Sequence, residues 1–494
     1  MAHTRNYLAL DLGASSGRAL LCQFDGEKLA VSEAHRFANG PARVFGSLYW
    51  DALQLWSEIK TGIARASQEG ATELAGVGLD TWGVDFALLD RQGALLGNPF
   101  HYRDARTDGM FEEAFQRMPR DQIFEQTGIQ FLQLNTLYQL LSMVISRSPL
   151  LETAETLLTI PSLFHYWLSG RMATEFSHAT TTQCYDPRKR SWAYPVLDAM
   201  AIPSKIFGEI VPAGTVLGPL LASVADEICV PPMPIIAPAT HDTGSAVAAV
   251  PASAPGFAWI SSGTWSIMGA ELDEPLINAQ SLAYNMTNEG GPNYTYRFCK
   301  NIIGLWLLQE SRRTWAAHGQ QFSYEDLTQL AARADRHLAV IDADHLDFMK
   351  PGDMPARIQA YCRRTGQVVP ETKGAVVRCV LEGIALKYRM VLEGVEAIIG
   401  HRLDPVYIVG GGTQNRLLSQ FAADALGRRV ITGPVEATAT GNALVQAIAL
   451  RDIGSLAEAR EVVRKSFDLL SFEPGDTSGW DDAYARLLAL TGRT

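Results

Sequence analysis

The stretch from Tyr7 to Ser32 constrains the fold more than any other part of the chain. It reads as an apolar strand, Tyr7-Leu-Ala-Leu-Asp-Leu12, a small-residue turn, Gly13-Ala-Ser-Ser-Gly17, and a second strand, Arg18–Phe24. Asp25-Gly26 turns the chain again into a third strand, Lys28–Ser32. A strand follows the first turn where a dinucleotide fingerprint needs a helix, and the glycine-lysine-serine ending of a Walker A loop is missing. What remains is an antiparallel meander whose first turn is preceded by a carboxylate, Asp11. Exposed N–H groups in such a turn attract oxyanions, and glycine lets a polyphosphate approach the backbone. Arg18 and the hydroxyls of Ser15 and Ser16 are suitable donors. Taken alone, the segment is equally an ordinary hairpin.

The same shape returns once. After the low-complexity patch Pro251–Gly256 come a strand, Phe257–Ser261, a turn, Ser262-Gly-Thr264, and a strand, Trp265–Gly269. A chain of 494 residues exceeds what one core usually serves. Two related lobes are therefore expected, residues 1–247 and 248–494, joined near 248–256. Between these landmarks the pattern alternates. It predicts a helix over 51–68, a strand over 74–79, a hairpin of 86–89 with 94–96, and helices up to about residue 170. A strand over 234–239 leads into a helix beginning at His241, and a long helix over 375–400 precedes a strand over 405–409. The fold class is α/β with two mixed sheets.

Composition narrows the function. A formal charge of -11 disfavours a nucleic-acid partner, and Arg188-Lys-Arg190 and Arg312-Arg313 are too short to line a groove. The 6 cysteines form no C-x-x-C pair, so neither a zinc site nor a disulfide scaffold is expected, and the thiols read as reduced. The N-terminus lacks a secretory pattern and no run of 18 apolar residues occurs, which predicts a cytoplasmic protein with no membrane association.

Several segments carry chemistry. In His241-Asp-Thr-Gly-Ser245, Asp242 falls between a buried strand and a helix, where a carboxylate can take a hydroxyl proton during phosphoryl transfer. His241 is placed to donate to a sugar hydroxyl; an N-cap aspartate beside a histidine is the structural alternative. Thr264, in Ser261–Ser266, mirrors the first turn as a phosphate ligand. Gly410, Gly411 and Gly412 remove side chains where a base or ribose could lie against backbone, and the following helix offers its N-terminus. Asp80, Trp82 and Asp85 place carboxylates and an indole at a strand end, and Arg103 lies in the charged run His101–Arg106. These are sugar-binding ingredients, though each is also an ordinary core or salt-bridge residue. Asn301 and Gln309 flank the mainly apolar Ile302–Leu308.

Together these motifs resemble the FGGY carbohydrate kinases of the actin-like ATPase superfamily, over about residues 6–455. The resemblance rests on D-L-G-A-S-S-G-R at 11–18, D-T-W-G-V-D-F at 80–86, Y-R-D at 102–104, T-H-D-T at 240–243 and S-S-G-T-W-S at 261–266. K-N-I-x-G-L-W-L-L-Q at 300–309 and G-P-V-E-A at 433–437 complete it. It implies two actin-like (ribonuclease H-like) domains flanking a nucleotide cleft, and transfer of phosphate from ATP to the 1-hydroxyl of L-rhamnulose. L-fuculose or L-xylulose is the alternative ketose. By the same resemblance Asp242 is the proton acceptor, and Ala14, Ser15, Ser16, Gly17, Arg18 and Thr264 hold phosphates. Gln309 and Gly410–Gly412 contribute to the nucleotide site, and Gly83, His241, Thr243 and Asn301 contact sugar. Mg²⁺ accompanies ATP, held through water near Asp11 and Asp242. A monomer or small homo-oligomer is expected.

Overall fold

The computed structural model describes residues 4–68 and 73–492. The chain forms two compact units. The first joins Met1–Ala249 with Glu271–Phe298 and Ala437–Ser466, and the second joins Val250–Ala270 with Cys299–Glu436 and Phe467–Thr494.

The sheet of the first unit has 6 strands in the order Thr215–Pro219, Pro234–Ala237, Leu74–Thr81, Arg5–Leu12, Ser16–Phe24, Leu29–Ala38. The three N-terminal strands pair antiparallel, and Arg5–Leu12, Leu74–Thr81 and Pro234–Ala237 run parallel. Strand two begins at Ser16, so the first turn is shorter than its run of small residues, and strand three extends to Ala38. The helix Ala52–Gln68 buries Leu55, Ile59, Ile63 and Ala66, a 3–4 spacing that gives one apolar face to the sheet. Gly62 lets that helix approach, since a Cβ there would stand 2.7 Å from the Ala19 Cβ.

The helix Ala437–Ala449 belongs to this unit although it lies far along the chain. Gly441 crosses the helix Asp242–Ala248, where a Cβ would overlap the Ser245 carbonyl. Gly76 and Gly78 on the central strand make room for the Gln446 and Asn442 side chains. One local pairing differs from expectation. Phe86–Leu89 pairs antiparallel with Thr156–Thr159, and residues 94–96 add the isolated bridge Leu89–Leu95, with Leu96 N–H donating to Leu88 O at 3.0 Å. The Asp90 turn forms, but the partner with enough buried apolar residues, Leu157 and Leu158, comes from elsewhere in the chain.

The second large sheet has 7 strands in the order Thr287–Gly290, Tyr296–Ile303, Trp265–Leu272, Ala258–Ser262, Val406–Val409, Val430–Thr432, Ser471–Phe472. Ala258–Ser262 pairs antiparallel with Trp265–Leu272 and parallel with Val406–Val409, which is parallel to Val430–Thr432. The final pair is antiparallel. An antiparallel hairpin, two parallel strands and an antiparallel edge therefore occur in both units, and both folds are α/β with mixed sheets. The helix Lys373–Ile399 is buried along most of its length. No helix among the described residues is long and apolar enough to cross a membrane. Five of the six cysteines are buried and Cys229 is exposed.

Candidate active site

The first turn is closed by Gly13 N–H donating to the Ser16 carbonyl at 3.0 Å. Asn39, which has no counterpart among the expected site residues, holds it from the neighbouring strand. Its amide donates to the Gly13 carbonyl at 2.8 Å, and its backbone N–H donates to Ser15 O. Gly17 is obligatory because a Cβ would overlap the Phe37 ring. Ser15 is exposed, while Ala14 and Ser16 are half-buried. Arg18 is engaged, its Nη2 lying 2.6 Å from Asp11 Oδ2.

The second cluster gathers around Asp242, the first residue of its helix, with His241 as the N-cap. Glu175 braces the approach. Its carboxylate accepts from Thr240 N at 2.9 Å, Thr240 Oγ1 at 3.0 Å and the Ser177 hydroxyl, which in turn accepts from His241 N. Burial raises the Glu175 carboxyl, opposed by those same donors. Asp242 Oδ1 accepts from Thr243 N at 2.5 Å and Thr243 Oγ1 at 3.0 Å, and His241 Nε2 lies 3.4 Å from it. Thr243 is thus buried and committed to Asp242. Gly83 stands beside this cluster, where a Cβ would meet His241 Nε2 at 3.3 Å and Thr181 at 3.4 Å. On its other side His241 meets Glu289 of the strand Thr287–Gly290 and Arg297 of the strand Tyr296–Ile303, two residues that sequence reasoning missed. Gly290 is their local signal, since a Cβ there would stand 2.7 Å from Phe176.

A row of buried polar side chains runs beneath. Gln446 donates to Leu8 O at 3.0 Å and to Asn442 Oδ1 at 2.7 Å, and Asn442 donates to Asp80 Oδ2 at 2.5 Å. Asp80 is fully buried and faces this row, with Oδ1 lacking a hydrogen-bond partner. Burial, then the charges of Asp11 and Asp242, hold its carboxyl well above the usual aspartate range. Asp11, Asp80 and Asp242 thus share one electrostatic neighbourhood. Among the described residues no three His, Cys, Asp or Glu side chains converge to hold a metal directly.

Asp85 is the hub of an aromatic nest. Its Oδ2 accepts from Trp50 Nε1 at 2.6 Å, Trp82 Nε1 at 2.9 Å and Tyr102 N at 3.2 Å, and its Oδ1 accepts from Gln139 Nε2 at 2.9 Å. Burial pushes this carboxyl up to about 6 against those four donors. Trp82 is buried, with its indole N–H committed to Asp85. Burial lowers the stacked His101 to about 3. Val84, between Gly83 and Asp85, has φ +69, a rare conformation for a β-branched residue. Thr181 accepts from its N–H at 3.2 Å, and Thr136 donates to its carbonyl at 2.5 Å. Arg103 is half-buried over the Tyr102 ring. Arg106, also half-buried, turns its guanidinium inward 3.9 Å from the Phe100 ring centroid and donates to Gln139 Oε1, with Nε and Nη1 buried and unpartnered. Its position in the charged run 101–106 was visible, but only the fold shows which arginine turns inward.

In the second unit Gly263 N–H donates to Trp265 O at 2.8 Å, closing the second turn. The helix Trp306–Ala317 starts directly on it, with Leu305 N–H donating to Gly263 O and Trp306 N–H to Thr264 O. Gly304 permits this, since a Cβ there would stand 2.6 Å from Ser266 Oγ. Thr264 Oγ1 then donates to Gln309 Oε1 at 3.1 Å, joining two of the expected nucleotide residues. Gly410 has φ +90 and would meet Ser262 O at 3.0 Å, and a Cβ on Gly412 would overlap the Ser262 side chain. Gly411 is exposed with nothing within 4 Å. A 3₁₀ turn, Gly411–Gln414, separates these glycines from the helix Arg416–Leu426, whose Leu418 N–H is capped by Asn415. Asn301 lies half-buried on the strand Tyr296–Ile303 in this unit, whereas Gly83, His241 and Thr243 lie in the first.

Residues 6–249 match the N-terminal domain of the FGGY family of carbohydrate kinases, and residues 258–450 match its C-terminal domain. A rhamnulokinase of Bacteroides thetaiotaomicron is 40% identical over 97% of this chain and 98% of that protein. One from Halalkalibacterium halodurans is 39% identical over 95% and 99%. Among solved structures, a ligand-bound xylulose kinase from Lactobacillus acidophilus superposes with a TM-score of 0.82 at 15% identity, covering 99% of this chain and 98% of that one. Plasmodium falciparum glycerol kinase with ADP gives 0.79 at 16%, covering 99% and 98%. At such identities the structures share the fold. With both family domains matched in order and full-length relatives near 40% identity, the chain belongs to the FGGY family of carbohydrate kinases.

Proposed function

We propose that this protein is a cytoplasmic rhamnulokinase, transferring the γ-phosphoryl group of ATP to the 1-hydroxyl of L-rhamnulose. The observation that carries the reading is Asp242, a partly exposed carboxylate whose Oδ1 accepts from Thr243 N and Thr243 Oγ1 with His241 Nε2 3.4 Å away, while Oδ2 accepts no hydrogen bond among the described residues. A carboxylate so held is suited to take the hydroxyl proton as the new O–P bond forms and the bond to the β,γ-bridging oxygen of ATP breaks, releasing ADP. Asp242 shares the first unit with the Gly13–Gly17 turn, and full-length relatives named rhamnulokinases support the choice of ketose.

In this reading each of the two turns is a phosphate ligand, and exclusion of water keeps the phosphoryl group for the sugar hydroxyl. Arg18 and Thr264 hold phosphate oxygens, Gln309 and Gly410–Gly412 receive the nucleotide, and Gly83, His241, Thr243 and Asn301 receive the sugar. The carboxylates of Asp11 and Asp242, whose charges both act on Asp80, fit a cation held through water. Magnesium bound there with ATP would neutralise charge on the phosphate oxygens.

The test is ATP consumption with Mg²⁺ over a panel of ketoses, repeated with Asp242→Asn. Selectivity for L-rhamnulose is expected, with kcat falling by about 10²–10⁴ in the variant while nucleotide still binds. Preference for L-fuculose or L-xylulose would overturn the substrate, and turnover indifferent to sugar would overturn the kinase reading.

A further inference from the structure

The side of His241 facing away from Asp242 is built with unusual care. Arg297 is fully buried on the strand Tyr296–Ile303, and its Nη2 donates to His241 Nδ1 at 3.0 Å. Its Nε donates to the Gly290 carbonyl at 2.8 Å, fixing the guanidinium plane. Glu289 Oε2 lies 3.2 Å from the same Nη2 and 3.3 Å from His241 Nδ1. A buried cation is costly unless paired, and Glu289 supplies the counter-charge.

The chemistry of imidazole turns this into a statement about protons. Arginine has donors only, so the ring nitrogen that accepts from it must present a lone pair. In neutral histidine the proton then sits on the other nitrogen, Nε2, which faces Asp242 Oδ1 at 3.4 Å. Oδ1 accepts from Thr243 N and Thr243 Oγ1 and has His241 Nε2 near it at 3.4 Å, and Oδ2 is left as the basic atom. Were Nδ1 protonated, it would donate to Glu289, and the Nε2 lone pair would repel the Asp242 carboxylate.

We infer that Arg297 is a positioning residue for the transfer step: it fixes His241 in the Nε2–H form, which turns an N–H and not a lone pair toward Asp242 Oδ1 and leaves Oδ2 for the proton of the incoming hydroxyl. The inference rests on the kinase reading for its catalytic consequence, but the tautomer itself stands on the geometry alone.

The experiment uses the full-length protein labelled with ¹⁵N-histidine, with His241 assigned by its loss in His241→Gln. Long-range ¹H–¹⁵N spectra are expected to show Nε2 protonated and Nδ1 as the bare nitrogen. In Arg297→Met only Glu289 remains beside Nδ1, so the proton moves to Nδ1. With it, kcat is expected to fall about tenfold to a hundredfold while the sugar KM changes by less than about threefold. Adding Glu289→Gln supplies an amide donor to Nδ1, so the double variant should regain the Nε2–H form and most of the lost kcat. A purely structural role for Arg297 predicts no such rescue.

An Nδ1–H or doubly protonated ring in the unsubstituted protein would overturn the inference, as would a double variant no faster than Arg297→Met. Where Arg297→Met does not fold, the spectrum of the unsubstituted protein and that of Arg297→Lys, which keeps a donor, decide the matter. Absence of sugar-dependent turnover in the unsubstituted protein would defeat the kinase reading instead and leave the tautomer result standing.

Discussion

Asn442 donates to Asp80 at 2.5 Å across 362 residues of sequence, tying the small-residue helix Ala437–Ala449 to the end of the central strand Leu74–Thr81. Asparagine is the fitting partner because its amide gives a proton without adding charge to a pocket already shared with Asp11 and Asp242. The contact depends on Gly78, where any side chain would occupy the space of the Asn442 amide.

Stability should therefore depend on pH through Asp80. Its folded-state carboxyl is raised, so the native protein keeps a proton over a range in which the unfolded chain, with an ordinary aspartate near 4, has released it. That favours the folded state at the low end of the range, and the advantage is lost as pH rises. Asp85, at about 6, contributes with the same sign. Asp80→Asn keeps an acceptor for Asn442 and removes the titration. The stability difference between variant and parent should grow in favour of the variant from pH 4 upward, measured by urea denaturation at stepped pH. A constant difference would mean that Asp80 does not titrate with folding.

Asp85→Ala should be among the most damaging changes in the first unit. It leaves the N–H groups of Trp50, Trp82, Tyr102 and Gln139 without their acceptor inside a closed aromatic nest. A loss of about 3 kcal/mol or more is expected from unsatisfied buried donors. The fluorescence of Trp50 and Trp82 should report the same transition. A loss under about 1 kcal/mol would show that the nest readily refills the acceptor's place.

Arg106 should behave in the opposite way. Its guanidinium is desolvated, which lowers it to about 10, so it remains a cation at neutral pH, with Nε and Nη1 unpartnered. Replacing an incompletely satisfied buried cation by an apolar side chain of similar length is often neutral or stabilising. Arg106→Met should thus hold or gain stability, measured by urea denaturation at neutral pH. A loss above about 2 kcal/mol would show that the Gln139 contact outweighs the cost of the unpartnered nitrogens.

The parts of the fold that were legible depended on local chemistry. The Gly13–Gly17 and Ser262–Thr264 turns are visible because small residues interrupt apolar strands, and the helix Ala52–Gln68 because Leu55, Ile59 and Ile63 repeat at its period. Long-range partners were not legible. Nothing beside Phe86–Leu89 announces Thr156–Thr159 as its pair, and nothing near Gly78 announces Asn442. The candidate site divides in the same way. Asp242 and Thr264 stand out in their own motifs, whereas Asn39, Glu175 and Arg297 act through neighbours brought together only by folding. The clearest case is Asp85, whose donors Trp50, Tyr102 and Gln139 come from other segments of the chain.

The three consecutive glycines at 410–412 do different jobs, and alanine separates them. At Gly412 a methyl group collides with the Ser262 side chain, so Gly412→Ala should push the loop off the second turn and cost about 1–3 kcal/mol through overpacking. At Gly411 the same methyl meets nothing within 4 Å, so Gly411→Ala should leave stability within about 0.5 kcal/mol of the parent. The exposed face of Gly411 is where a nucleotide is proposed to lie against backbone, and there a methyl should weaken ATP binding. Thermal unfolding with and without MgATP distinguishes the two. Gly412→Ala should lower the midpoint even without nucleotide, whereas Gly411→Ala should keep that midpoint and lose most of the nucleotide-induced rise. If Gly411→Ala retained the full rise, the loop would be a structural clasp for Ser262, and the nucleotide would have to rest on Thr264 and Gln309 without it.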